Sequence, residues 1–447
     1  MPGTIGAGPA APRWSARRAR ASMAAAAALG LALRLLFASV YWVDKPLTLD
    51  EQEYLLLARN LACGLGFTYP AVAGEGAAVV HFERPPAYPA LLAGVLVATG
   101  HVSAAPESCA ASPVPLPRSS SEIPRAVSGL QSVLGALGVW LIGAIAWKAA
   151  GPRAAVLASF VAAVEPPLVW ICGFALNEAV YSLLALVVAW LLMRASSEPP
   201  SWRLGLVAGC VAGVAILTKE GMLLFVPLAG LWLLVTRRAF VAAAAVLGLA
   251  LVLVPWVGRN YVVHGRFVLT AAHGGVTFWT GNNPLARGEG DLAANADLKR
   301  ARNAIEARHA GASAQEMDAV YYDEAFAFIR RQPAAWLALE ARKLFYTVVP
   351  VGPSYLLHSA RYRLGSWLSF ALLLPSAAIG IVRLSRRRRL AVIWPMPTLA
   401  ASVVLMNLVF FPQERFRIPV IDPVLIVFAA ACAPAAWAWG PAGARRT

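Results

Sequence analysis

Three short stretches of the chain hold side chains that could do chemistry together. Thr48-Leu-Asp-Glu-Gln-Glu-Tyr54 supplies Asp50, Glu51, Glu53 and Tyr54, and Phe82-Glu-Arg-Pro-Pro-Ala-Tyr-Pro89 supplies Glu83 and Arg84. Phe174-Ala-Leu-Asn-Glu178 brings one more carboxylate between two apolar runs. Acidic residues are scarce, 23 Asp and Glu against 39 Lys and Arg, so their crowding beside an apolar run calls for an explanation. Ionisable groups at a membrane boundary are costly unless solvated, paired or used. A carboxylate fixed in place can act as a general base on a hydroxyl or hold a divalent metal ion. A guanidinium held beside it at headgroup level is what a phosphate-bearing lipid requires. Asp50, Glu51 and Glu178 are the candidate catalytic residues, with a divalent metal ion left open as a cofactor.

Each of these residues needs an element to hold it. Thr48, followed three residues on by Glu51, is a capping box, so a helix is expected from about Leu49 to Cys63 with Glu51 and Tyr54 one turn apart. Pro85 and Pro86 lock the backbone and keep Glu83-Arg84 out of the helix that follows. The plainer reading of that pair is a turn with a surface ion pair. Glu178 also reads as a helix N-terminal charge favoured by the dipole, and Lys219-Glu220 as a mainly structural pair. Pro255-Trp-Val-Gly-Arg-Asn-Tyr261 offers Arg259 as an interfacial anchor or a phosphate ligand, with Asn260 beside it. His273-Gly-Gly275 and Gly281-Asn-Asn-Pro284 suggest a hydrogen-bonding loop that includes Asn282, and Gln413-Glu-Arg-Phe-Arg-Ile-Pro419 adds Arg415 and Arg417. Tyr54, Glu83, Arg84, Arg259, Asn260, Asn282, Arg415 and Arg417 are the candidate substrate-binding residues.

The elements themselves are membrane spans. The 447-residue chain is 59% hydrophobic and only 14% charged, with a mean hydropathy of +0.62, whereas soluble domains carry about 25% charged residues. The apolar runs are unbroken, which excludes a β-barrel built from alternating segments of about ten residues. Candidate spans are 23–43, 126–147, 153–173, 179–194, 203–218, 221–236, 239–257, 365–383, 390–411 and 418–438, against a requirement of roughly 17–25 residues. Arg34 is the charge inside the first of them and is expected to snorkel.

The run from Ala87 to about Val102 is expected to lie in or on the membrane without crossing it. Only then do the basic clusters at 13–20, Lys148/Arg153, Arg194/Arg203, Arg237/Arg238, Arg383 with Arg386–Arg389, and Arg445/Arg446 all fall on the cytoplasmic side. The net charge of +16 therefore reads as topology, not as nucleic-acid binding. The same parity puts 44–125, the turn at 174–178 and 258–364 on the outer face. The organisation is a basic tail 1–22, a core 23–257, an outer segment 258–364, C-terminal spans 365–438 and a tail 439–447. Within the outer segment, Ala293–Arg331 is expected to be a helical lobe and Trp336–Val349 an amphipathic interfacial helix. Cys63 and Cys109 share an outer loop where a disulfide is permitted, and two unpaired thiols fit equally well. No CxxC, GxGxxG or Walker A pattern occurs.

Taken in order, Asp50-Glu51 with Tyr54, Glu83-Arg84-Pro85-Pro86, Asn177-Glu178, Trp256 with Arg259-Asn260-Tyr261, Gly281-Asn282-Asn283-Pro284 and Arg415-Phe-Arg-Ile-Pro419 form a recognisable set. The set resembles bacterial membrane glycosyltransferases of family 39, the group that includes protein O-mannosyltransferases and the lipid A aminoarabinose transferase. The resemblance implies a GT-C fold: an all-α polytopic membrane protein of about ten transmembrane helices, with periplasmic loops carrying interfacial helices. It implies a place in the bacterial inner membrane, with the pocket facing the periplasm. The implied donor is a polyprenyl-phosphate sugar, transferred with inversion to a protein, lipid or cell-envelope glycan acceptor. Asp50 matches the family's acidic catalytic residue, and Arg84 its phosphate-binding cation, where the aminoarabinose enzyme has Lys. Glu178 stands where some relatives have Asp, and acceptor recognition is expected from 258–364 or from the pocket itself.

Two other classes of function compete. A transporter or flippase for lipid-linked sugars would carry its ionisable residues near the bilayer midplane and is often built from inverted repeats, and no internal repeat is evident here. A non-catalytic subunit of an envelope synthase would use the acidic loop as a docking surface. The topology is testable: a reporter fused after Thr236 should read cytoplasm, and one inserted near Gly311 should read the outer side. Opposite readings at both positions would reverse the parity and remove Asp50 from the outer face.

Overall fold

In lipid every backbone polar group must be satisfied within its own segment, so apolar runs of this length become helices. The computed structural model describes residues 15–68, 84–102, 117–265, 267–270 and 274–433. Helix α1 (Ala16–Leu36), capped by Ser15, runs on through a π-helical turn at Phe37–Tyr41. Two short helices follow, α2 (Leu49–Ala62) and α3 (Ala87–Ala98). The bundle continues with α4 (Arg125–Ala150), α5 (Pro152–Val164), α6 (Pro166–Trp170), α7 (Glu178–Ala195), α8 (Trp202–Thr218), α9 (Phe225–Val235) and α10 (Ala239–His264). A polar lobe contains α11 (Gly274–Gly281), α12 (Ala296–Arg308), α13 (Ala314–Arg331) and α14 (Pro333–Val348). Helices α15 (Ala360–Arg386), α16 (Pro395–Val409), α17 (Glu414–Arg417) and α18 (Ile421–Cys432) complete the chain. The protein is an all-α polytopic membrane protein; among the described residues the sole β feature is the isolated bridge Pro46–Ser119.

Among the described residues five helices are long and apolar enough to cross a membrane: α1 with its π turn, α4, α7, α10 and α15. The expected span 153–173 is a bent pair instead, α5 and α6 meeting at 59°. Pro166 and Pro167 cause the break, since proline lacks the N–H that would continue the helix. The remaining expected runs are met by shorter apolar helices: α8, Glu220–Val235, α16 and α18. Helix α10 also runs past its expected end, through Pro255 to His264, and stops where Gly265 turns left-handed at φ 67°. Arg259 and Asn260 therefore sit in a helix, not in a loop. Helix α3, at twelve residues, is about 18 Å long, short against a hydrocarbon core of about 30 Å.

Helices α8 and α10 touch backbone to backbone. A Cβ at Gly209 would lie 1.9 Å from Ala245 O, and one at Gly248 would lie 2.1 Å from Leu206 O. Without a hydrophobic drive between helices in lipid, such close approach supplies the packing attraction. Arg34 does not snorkel. It is 2% exposed, and its guanidinium donates to Gly30 O at 2.9 Å and to Ala162 O and Ala163 O at 3.4 Å. Carbonyls of its own turn and of α5 replace water, so the side chain has no need to reach the interface.

The expected lobe is two helices, α12 and α13, around Trp279, Leu298, Ile305, Tyr321 and Ala325. Ser313 and Glu316 form a capping box at the start of α13. Helix α14 exposes Leu337, Leu344 and Phe345 on one side. On the other side it buries Lys343, which bonds Asn282 Oδ1 (2.9 Å), Glu340 Oε1 (2.6 Å) and Leu408 O (2.9 Å). Cys63 caps α2 and is disulfide-bonded; Cys109, the partner considered from sequence, lies outside the described residues.

Glu289 anchors the lobe to the turn before α15, accepting from Ser354 N (2.6 Å) and Ser354 Oγ (3.1 Å). Burial pushes its carboxyl up to about 7, against the pull of the Ser354 bonds. The folded state thus binds this proton more tightly than the unfolded chain, so the net contribution of Glu289 to stability is greatest below the usual value of 4.5 and falls as pH rises through 7, where the buried carboxyl must ionise. Thermal unfolding in detergent should show stability falling over that window, by up to about 3 kcal/mol. Glu289→Gln should flatten the dependence; an unchanged pH profile would remove Glu289 as its source.

Candidate active site

Helix α2 begins where the first loop is pinched shut. Leu47 N donates to Arg118 O (3.0 Å), Ser120 N donates to Lys45 O (2.8 Å), and Ser120 Oγ donates to Trp42 O (3.0 Å). The first turn of α2 is then fixed twice. Glu51 accepts from Thr48 N (2.9 Å) and Thr48 Oγ1 (3.0 Å) with one oxygen, completing the capping box. Its other oxygen accepts from Ala175 N (3.0 Å), which docks α2 on the loop before α7. Glu51 is 1% exposed with both oxygens taken. Burial raises its carboxyl above the usual range, opposed by the Thr48 and Ala175 hydrogen bonds.

One residue earlier, Asp50 is only partly buried, with its side chain 19% exposed. Its Oδ1 lies 2.6 Å from Arg84 Nη2, and its Oδ2 lies 2.6 Å from Arg415 Nη1. Burial would push this carboxyl up, but the Arg415 and Arg84 guanidiniums outweigh it and hold the group below the usual carboxylate range. Arg84 also holds Glu53 Oε2, at 2.7 Å from Nε, and lies 5.6 Å from the centre of the Tyr54 ring. Burial weakens the charged form of Arg84, and Asp50, Tyr54 and Glu53 more than restore it.

The second half of the cluster comes from the starts of α7 and α17. Glu178 is 1% exposed and takes Lys219 Nζ at 2.9 Å on Oε1, with Arg415 Nε 4.0 Å away. Its Oε2 is buried without a hydrogen-bond partner. Asn177 ties the halves together, donating to Tyr54 OH (2.9 Å) and Thr218 O (2.7 Å). Beneath them Tyr54 meets Tyr88 edge-on at 5.0 Å, and Tyr88 OH donates to Gln131 Oε1 at 2.9 Å.

Of the residues expected at the site, Asp50, Glu51, Tyr54, Arg84, Glu178 and Arg415 converge. Arg417 points the other way from the same short helix, 2% exposed and 3.3 Å from Asp422. Arg259 lies against the rings of Trp256 and Phe67, and Asn260 donates to Val268 O. Asn282 is taken up by Lys343, Trp336 and Val409 O. Glu83 and His273 lie outside the described residues. Two members were not among the candidate site residues: Glu53 was named only with the charges of the first loop, and Lys219 only in a mainly structural pair with Glu220. Glu53 is three residues after Asp50 on one helix face, a legible signal; Lys219 had only its position at the end of an apolar run.

Among the described residues no group of three or more His, Cys, Asp or Glu side chains could hold an ion, and each Asp50 oxygen already faces a guanidinium.

Residues 124–258 match the family model described as dolichyl-phosphate-mannose-protein mannosyltransferase. That match runs from α4 into α10, ending at residue 258, and stops short of both Asp50 and Arg415. Two structures of the archaeal oligosaccharyltransferase AglB from Archaeoglobus fulgidus superpose on most of the chain. The form with an inhibitory peptide and a dolichol-phosphate gives TM-score 0.54 at 16% identity, covering 93% of this chain and 50% of the other. The form tethered to an acceptor peptide gives 0.55 at 14%, covering 94% and 49%. The chain shares the fold of AglB over the superposed residues. The chain spans about half the length of AglB. ArnT from Cupriavidus metallidurans bound to undecaprenyl phosphate is matched at TM-score 0.42 and 15% identity, over 91% of this chain and 77% of that one. No curated protein matches by sequence.

The role of Glu51 in holding the site can be measured. Glu51→Ala leaves Ala175 N–H and Thr48 N–H without their acceptor and should lower unfolding stability by about 1–3 kcal/mol. Glu51→Gln, which retains an acceptor oxygen, should lose less. Equal stability of wild type and Glu51→Ala in detergent would show that this contact does not hold α2.

Proposed function

We propose that this GT-C chain is an inverting glycosyltransferase, moving a sugar from a polyprenyl-phosphate donor to an acceptor on the outer, periplasmic side of the membrane. The observation that carries the reading is the Asp50 carboxylate held between Arg84 and Arg415 in a partly open cluster at the ends of the spans. A base and two phosphate-competent cations are thereby gathered around one point. The dolichol-phosphate bound by AglB, which shares the fold, supports a polyprenyl-phosphate partner.

In the proposed reaction the acceptor hydroxyl oxygen attacks the anomeric carbon of the sugar, and its proton passes to Asp50. The bond from that carbon to the phosphate oxygen breaks, and its electron pair leaves with the phosphate. Arg84 and Arg415 meet the charge that develops there, the role of preorganised electrostatics in catalysis. Arg415 replaces Arg259 and Arg417 as the second phosphate ligand, since those two face other partners. Glu51 is a positioning residue, because neither of its oxygens is free. The unpartnered Glu178 Oε2 is placed to accept a hydroxyl of donor or acceptor. Apolar helix faces hold the isoprenoid, at about 0.8 kcal/mol for each buried methylene. The acceptor class, whether protein, lipid or envelope glycan, is the part to be found by glycan and lipid mass spectrometry of a deletion strain.

Loss of a positioned base lowers rate by about 10²–10⁴-fold, and that is the expected effect of Asp50→Asn on consumption of polyprenyl-phosphate sugar. Arg84→Ala should weaken donor binding by roughly 1.5–3 kcal/mol, and Arg84→Lys should recover part of it. Wild-type turnover by Asp50→Asn would overturn the assignment of the base.

A further inference from the structure

The cations assigned to the donor phosphate are already engaged. Arg84 Nη2 sits 2.6 Å from Asp50 Oδ1 and 2.5 Å from Glu53 Oε2, while Arg415 Nη1 sits 2.6 Å from Asp50 Oδ2. Each oxygen of the base thus carries one guanidinium. In that state Asp50 is a poor proton acceptor, because its lone pairs are directed at N–H groups and the nearby positive charge favours the bare anion. A phosphate entering the cluster offers oxygens of the kind a guanidinium fork grips. Lys219, tethered to the buried Glu178, is held back from the exchange.

We propose that the donor phosphate and Asp50 compete for Arg84 and Arg415. An arriving phosphate draws the guanidiniums away from Asp50 and so releases the base only when the donor is in place. This rests on the reading of the chain as a polyprenyl-phosphate-dependent transferase. The balance then closes within the site. The hydroxyl proton moves to the released Asp50, and the electron pair of the broken bond goes to a phosphate oxygen already facing the two arginines. The side chains of Asp50, Arg84 and Arg415 are 19%, 20% and 27% exposed, so water and salt screen the exchange only in part. An acceptor reaching the pocket first meets a carboxylate that cannot take its proton, which sets the order of binding.

The test is binding by the full-length protein in nanodiscs, using a polyprenyl monophosphate as probe and the polyprenol of the same length as its neutral control. Asp50→Asn removes the competing charge and should tighten phosphate binding on the order of tenfold, the factor equal to about 1.4 kcal/mol, with polyprenol binding unchanged. Glu53→Gln, which frees Arg84 from one partner only, should give a smaller gain in the same direction. In an Arg415→Ala background the gain from Asp50→Asn should shrink, because one of the freed cations is gone. Unchanged or weaker phosphate binding by Asp50→Asn overturns the competition. A gain that persists undiminished with Arg415→Ala also overturns it, since removal of any negative charge would then explain it. Turnover of polyprenyl-phosphate sugar by each variant is a separate arm. An active Asp50→Asn defeats the catalytic reading itself, whereas an inactive variant without a binding gain defeats only the exchange.

Discussion

A carboxylate withdrawn from bulk water must be neutralised, solvated or paired, and Asp50 is paired twice. Arg84 comes from the stretch before α3 and Arg415 from the turn before α18, so one ion-pair cluster stitches together distant parts of the chain. Breaking either contact strands a partly buried charge, which costs more than forming the pair gains. The geometry of this end of the bundle follows from that asymmetry. Helix α2 cannot shift without opening both arginine contacts, and α17 cannot turn without uncovering Asp50.

The surrounding structure holds the cluster through a set of hydrogen bonds. Glu51 spends its carboxylate on the cap of α2 and on Ala175 N, and Asn177 links Tyr54 to the end of α8. The short helix α17 is anchored on its far side. Glu414 accepts from Tyr362 and sits 2.7 Å from His358 Nε2, and Arg417 faces Asp422. Arg415 is thus presented to Asp50 by neighbours in sequence that look the opposite way. In four residues, Glu414 and Arg417 serve the scaffold and Arg415 serves the site.

Much of the site could be read from residue types and position. The capping box at Thr48 and Glu51 is a local signal, since both partners lie within one turn, and it placed the start of α2 correctly. Asp50, Arg84, Glu178 and Arg415 stood out because charges are rare beside apolar runs. Spacing could not separate Arg415 from Arg417, or show that Asn282 belongs to the Lys343 network. Those distinctions depend on which side of a short helix faces which neighbour. Lys219 was read as a partner for adjacent Glu220, whereas its ion pair is with Glu178. Proximity along the chain is a weak guide where two helices end side by side.

The sequence by itself determined the class of protein, the helical state of its spans, the capping of α2 and the crowding of charge at the ends of the runs. These follow from composition and from interactions within a few residues, which need no knowledge of the rest of the chain. The bend between α5 and α6 was also written locally, in Pro166 and Pro167, though its 59° angle was not. Tertiary structure decided which charges meet. It buried Arg34 among backbone carbonyls, turned Arg417 away, spent Glu51 on a backbone N–H and set two guanidiniums on Asp50. An ion pair between residues 50 and 415 has no local signature, because the energy that selects it arises only when packing has removed water from both partners.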